Sequence, residues 1–136
     1  MESYRTLVAW QLAHQLVLMI LRSLNVPYRG QLHPLFDQLR RAVISIEANI
    51  VEGYALNTPA YKAKHLRIAL GSAAECECLL RTGHELDWLP AGLYDAAQPI
   101  LDRCIGALIG LVKKAMTEMQ PSSPLTAHRS PRTSAR

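Results

Sequence analysis

Apolar side chains recur every three or four residues over four long stretches of this chain, which predicts four amphipathic helices and no strand. The first stretch runs from Leu7 to about Leu24. Thr6 is its candidate cap, with Tyr4 before the cap and Trp10 one turn in, close to a hydrophobic-staple arrangement. Asn25, Pro27 and Gly30 end it. The second stretch begins after Pro34 and sets Leu35, Leu39, Ala42, Ile46, Asn49 and Gly53 on one seam. Thr58 followed by Pro59 is a compact start signal, a cap and then a first-turn proline, for a third helix reaching about Glu85. Its seam is Leu66, Ala69, Ala73, Cys76, Leu80 and Gly83, mostly small side chains that let two helix axes approach closely. The fourth, from about Leu93 to Met119, carries one stripe of Ala97, Ile100, Cys104, Leu108 and Leu111 and a second of Leu101, Ile105, Ile109 and Val112.

Helices of this length joined by connections of roughly five to ten residues pack as antiparallel neighbours. The expected fold is therefore all-α, an up-down-up-down four-helix bundle over residues 1–120, on the order of 35 Å long at about 1.5 Å per residue. Leu7, Val8, Trp10, Leu12, Val17, Leu18, Met19 and Leu21 cannot all face one core, and the fourth helix is just as broadly apolar. That excess predicts subunit contacts through the first and fourth helices, and hence a homo-oligomer.

Composition narrows the picture. At 136 residues and 49% apolar content the chain has room for one domain with a real core. Its strongly apolar runs are shorter than the roughly 20 residues of a membrane span, and no secretory-signal pattern opens it, so a soluble cytoplasmic protein without a membrane partner is expected. Cys76, Cys78 and Cys104 lack any metal-binding spacing and read as buried, reduced thiols. The net charge is +4, yet the first 120 residues carry twelve basic and eleven acidic side chains. Basic character therefore concentrates in residues 121–136, a Ser/Pro/Arg segment holding Arg129, Arg132 and Arg136 and no acid, which is expected to be a disordered tail. Such a tail suits nucleic acid, or serves as an inert solubilising end.

Within the body, Tyr61, Lys62, Lys64, His65 and Arg67 combine several bases with an aromatic and no acid in the first turns of the third helix, where the helix dipole also favours anions. They are the leading candidates for nucleic-acid contact, although a solvated face is the commoner fate of such a run. Arg40 and Arg41 offer further phosphate contacts; the competing reading is a network between protomers using Arg41, Glu52 and Asn49. Lys113 and Lys114 close the fourth helix, where cations suit the dipole without any partner, and with the tail they extend a basic surface. Asn49 interrupts an apolar seam and must find a hydrogen-bond partner; a register-fixing role is expected for it, and structural or assembly roles for Trp10 and Glu52.

Catalysis finds no support. The sequence has no Gly-rich phosphate loop, no His-Glu-x-x-His and no Glu-x-x-His pair, and His14, His33, His65 and His84 come from separate elements. We expect no enzyme, no cofactor and no metal site.

Three ordered motifs carry a family resemblance. The second helix reads Gln38-Leu39-Arg40-Arg41-Ala42, then Ser45-Ile46, then Asn49-Ile50-Val51-Glu52-Gly53; Tyr4, Leu7, Trp10, Ala13 and His14 precede it, and Leu66-Arg67-Ile68-Ala69, Gly71-Ser72 and Glu75 follow. Over about residues 4–115 the chain resembles the bacterial 23S ribosomal RNA intervening-sequence proteins. Glu47 departs from the pattern, which often has proline there, so a regular helix is expected in place of a kink. The resemblance implies a homopentameric ring of four-helix bundles. That shape is shared with the accessory proteins of diversity-generating retroelements, which bind nucleic acid and a reverse transcriptase. The family's name records genes lying within segments inserted into ribosomal RNA. The expected function is a non-catalytic oligomeric adaptor that binds RNA or another nucleic acid through phosphate contacts. The alternative is a protein-interaction scaffold, for example an accessory subunit of a reverse transcriptase.

Overall fold

A computed structural model describes residues 3–56 and 58–120. After a 3-10 turn at Tyr4–Thr6 come four helices, α1 (Val8–Ser23), α2 (His33–Ala55), α3 (Pro59–Glu85) and α4 (Leu93–Met119). Each packs on its chain neighbours and α1 closes the ring against α4, with no diagonal packing between α1 and α3 or between α2 and α4 among the described residues. The arrangement is a four-helix bundle. Its antiparallel sense is visible in the contacts, since Leu35 near the start of α2 approaches Gly83 near the end of α3, whereas Gly53 near the end of α2 approaches His65 near the start of α3.

Local chemistry accounts for most boundaries. The Thr58 hydroxyl accepts from the Tyr61 amide at 3.3 Å, and Pro59 occupies the first turn where its missing N–H costs nothing. At the other end of α3, Asp87 takes a left-handed conformation with φ of 59°. The amides of Asp87 and Trp88 then return to the carbonyls of His84 and Gly83, a Schellman closure made without glycine. Two starts differ from expectation. Leu7, in extended conformation, precedes α1, while the Thr6 hydroxyl donates back to the Ser3 carbonyl at 3.1 Å, so Thr6 closes the leading turn and does not cap the helix. The staple contact still forms, with Tyr4 and Trp10 edge to face at 5.2 Å. Helix α2 starts at His33 and takes Pro34 into its first turn. Its link to α3, residues 56–58, is tighter than the expected five to ten residues.

The core follows the seams. All six seam residues of α3 are buried, as are Leu39, Ala42, Ile46 and Gly53 of α2, with Phe36, Val43 and Ile50 beside them. A Cβ on Gly53 would stand 3.2 Å from the His65 Cβ and 3.4 Å from the Lys62 carbonyl oxygen, so α2 and α3 meet here almost backbone to backbone. Helix α2 continues through Glu47 without interruption. Pro99 lies inside α4 on an exposed position, where water can satisfy the carbonyl its ring leaves unpaired. Apolar side chains left outside are not confined to α1 (Val8, Leu18) and α4 (Ile109, Met116, Met119); Ile44 of α2 and Ile68 of α3 are also exposed. None of the described helices is long and apolar enough to cross a membrane.

One expectation about the thiols is corrected. Cys76 and Cys104 are buried, but Cys78 is exposed, because two residues along a helix turn a side chain to nearly the opposite side. Burial pushes the Cys76 and Cys104 thiols up to about 12, the Cys76 thiol being raised further by Cys104 and Glu75. Both stay protonated and inert at pH 8, so brief alkylation of the native protein should modify Cys78 alone, with Cys76 and Cys104 reacting only after denaturation. Peptide mapping by mass spectrometry checks this. Because the folded thiols ionise later than free ones, their contribution to stability is intact below about pH 9 and is lost as pH rises toward 12.

Candidate nucleic-acid interface

The bundle brings the start of α3 beside the end of α4, and with them five of the twelve Lys and Arg side chains of residues 1–120. Lys62 and Lys114 line one cleft of about 340 Å³, together with Thr6 and Leu7 from the leading turn, Tyr54 from the end of α2, and Leu111 and Glu118 from α4. The Lys62 ammonium lies 4.7 Å from the centre of the Tyr54 ring, held by its π face. Around the other side of α3, the exposed Lys64 and Arg67 border a groove floored by Ala63, Ile68, Met116 and Met119. Lys113 is exposed on the same end of α4. Five cations from two helices thus share one end, with Glu52 and Glu118 as the nearby acids.

Toward the opposite end the same two helices carry acids. Glu75, Glu77 and Glu85 fall in the second half of α3, Asp87 just beyond it, and Asp95 and Asp102 in the first half of α4, with Arg81 and Arg103 among them. Arg81 is bound to Glu77 at 2.7 Å. The α3–α4 face is therefore polarised along the axis, while Arg22, Arg29, Arg40 and Arg41, from the end of α1 to the start of α2, offset these acids at the far end. Composition hides this; placing each charge on antiparallel helices would have exposed it.

Four expected site residues lie elsewhere or do other work. Arg40 is half-buried and committed internally, donating to Asp37 at 2.9 Å and to the Leu24 carbonyl at 2.9 Å, where it satisfies an oxygen at the end of α1. Arg41 is exposed but sits toward the other end, by Tyr28, His33 and Asp37. His65, expected on the basic surface, is 7% exposed and turned into the α2–α3 seam. Tyr61 is partly covered and packs against the His65 ring at 4.4 Å. Arg129, Arg132 and Arg136 lie outside the described residues.

His65 completes a polar chain. The Asn49 amide nitrogen donates to the Ser45 carbonyl at 2.9 Å and to the Ser45 hydroxyl at 3.1 Å, which fixes the amide's orientation and leaves its oxygen as an acceptor. His65 Nδ1, 2.9 Å from that oxygen, must therefore carry the proton and donate. Glu52 stands 3.7 Å beyond, and Ser45 meets Ser72 at 2.8 Å. Asn49 thus finds the partner its place on an apolar seam demands, within its own chain. Its amide is spent there, so the network linking it to Arg41 does not form within the chain. Trp10 stacks on His14 at 4.9 Å, and His14 in turn meets Glu47 at 2.8 Å, tying α1 to α2 through the residue that replaces the expected proline. Trp10 Nε1 is buried without a hydrogen-bond partner among the described residues. No group of three or more metal-ligating side chains occurs among them either.

A family model described as 23S rRNA-intervening sequence protein matches residues 5–110. No curated protein matches the chain.

Proposed function

Because the chain belongs to the 23S rRNA-intervening sequence protein family, we propose that it is a non-catalytic, cytoplasmic, self-assembling adaptor whose basic end receives RNA phosphates. The convergence of Lys62, Lys64, Arg67, Lys113 and Lys114 on one end of the bundle carries this reading. In sequence, the three arginines of residues 121–136 follow α4. Phosphate contact asks only for exposed cations and tolerates sparse aromatics, in keeping with a surface that offers charge and little stacking. Self-assembly, as a pentamer by family resemblance, would repeat each modest patch around a ring and raise avidity without any new contact. Exposed apolar side chains on all four helices support subunit burial.

Light scattering on the purified full chain, read together with its ultraviolet spectrum, tests both halves. The expected particle has five chain masses and an absorbance raised near 260 nm, falling to a protein-like spectrum after nuclease at high salt. A monomer that takes up no RNA at low salt would remove the reading.

A protein-interaction scaffold is the second reading, and one observation favours it. Ile44, Ala48 and Val51 form an apolar strip on the outer side of α2, bordered by Glu47 and Glu52, away from the α3–α4 cations. Pull-down with and without nuclease separates the two, since a protein partner retained after nuclease is held directly.

A further inference from the structure

The cleft between the leading turn and the end of α4 has a composition that plain phosphate contact does not use. We propose that it binds one 5′-phosphorylated nucleotide, either free or as the 5′-terminal nucleotide of an RNA; this rests on reading the basic end as a nucleic-acid surface.

Three chemistries meet in it. Lys62 from α3 and Lys114 from α4 supply two ammonium groups from different helices, with the first positioned by the Tyr54 ring. Two cations lining one cleft suit a phosphate dianion better than either alone. The Glu118 carboxylate and the Thr6 hydroxyl also line the space. The Thr6 proton is already given to the Ser3 carbonyl, so its oxygen, like the carboxylate, faces a ligand as an acceptor. Acceptors repel a second phosphate but receive hydrogen bonds from ribose hydroxyls or an exocyclic amine. Leu111 and the Tyr54 ring give an apolar wall for a flat base. A volume of about 340 Å³ accommodates a single nucleotide. Anion, hydroxyl donors and a flat apolar ring on one small ligand describe a nucleoside monophosphate.

The test titrates adenosine 5′-monophosphate, adenosine and inorganic phosphate separately into isotope-labelled full chain, followed by amide chemical shifts. The monophosphate should shift residues around Thr6, Lys62 and Glu118, and should bind about tenfold more tightly than adenosine or phosphate alone. Lys62→Gln and Lys114→Gln should each weaken it by about tenfold, with unchanged helical content. A matched pair of short RNAs, with and without a 5′-phosphate, separates the sources: preference for the phosphorylated end places a terminal nucleotide in the cleft, and indifference assigns the cleft to a free nucleotide. Absence of shifts with the monophosphate, or shifts unaltered in both lysine variants, overturns the proposal. Lys64→Glu/Arg67→Glu lies outside the cleft and keeps the two readings apart. If RNA binding persists in the wild type and falls in that variant while the monophosphate fails to bind, only the cleft assignment is lost; if RNA also fails to bind, both are lost.

Discussion

Replacing Gly53 with Val is expected to destabilise the protein by about 2–3 kcal/mol, seen as a lower urea midpoint with little change in slope. The reason is the atoms that face the new side chain. A single Cβ would already stand 3.2 Å from the His65 Cβ and 3.4 Å from the Lys62 backbone oxygen, and backbone cannot swing aside. Two further methyl groups force α2 and α3 apart along the closest stretch of their seam. Gly53→Ala should come out nearly neutral, because about 1 kcal/mol of helix propensity offsets the tight contact. Gly71 and Gly110 provide the contrast, since a Cβ there meets nothing within 4 Å and alanine should stabilise by about 0.5–1 kcal/mol. A Gly53→Val protein that melts like the wild type would mean the two helices do not approach so closely.

Asn49→Ala should cost about 2 kcal/mol, chiefly by stranding a buried donor. His65 Nδ1 would lose its acceptor in a seam where water cannot readily replace it, and Glu52, 3.7 Å away and itself largely exposed, is poorly placed to substitute. Replacing His65 with Leu in the same background removes the stranded group as well. The double variant should therefore recover part of the loss, with a coupling of about 1 kcal/mol or more in a double-mutant cycle. Strict additivity would show that the pair is incidental. The network interrupts an otherwise largely apolar stretch of the α2–α3 seam. It fixes which residues of the two helices face one another, a task that a run of Ala and Leu performs loosely.

These two effects also mark where sequence pattern sufficed and where it stopped. The bundle, the small-residue seam of α3 and its Thr58-Pro59 start were legible because spacing and capping chemistry are local properties. Asn49 was legible as a polar residue that needed a partner, but the partner was not. Nearness in sequence groups His65 with Lys62, Lys64 and Arg67, although one step along a helix is about 100° of rotation and turns it inward beside Leu66. Two polar residues on facing seams belong together, and that pairing was the missed signal. Arg40 posed the same difficulty, since adjacency to Arg41 says nothing about a carbonyl at the end of α1. Charge polarisation along the α3–α4 face is hidden by a near-zero sum. It emerges once the acids late in α3 and early in α4 are set opposite the cations early in α3 and late in α4.

The central claim, that the α3–α4 cations form a phosphate-binding end, is tested most directly by RNA affinity as a function of salt for the wild type and Lys64→Glu/Arg67→Glu, with Arg41→Glu as the distant control. Log affinity should fall linearly with log salt. In the double variant the affinity should drop by at least about tenfold and the slope should flatten by about two, one for each phosphate contact removed. Arg41→Glu, at the other end, should leave both nearly unchanged. Affinity that ignores salt, or that survives the double reversal and is lost in Arg41→Glu, would contradict it.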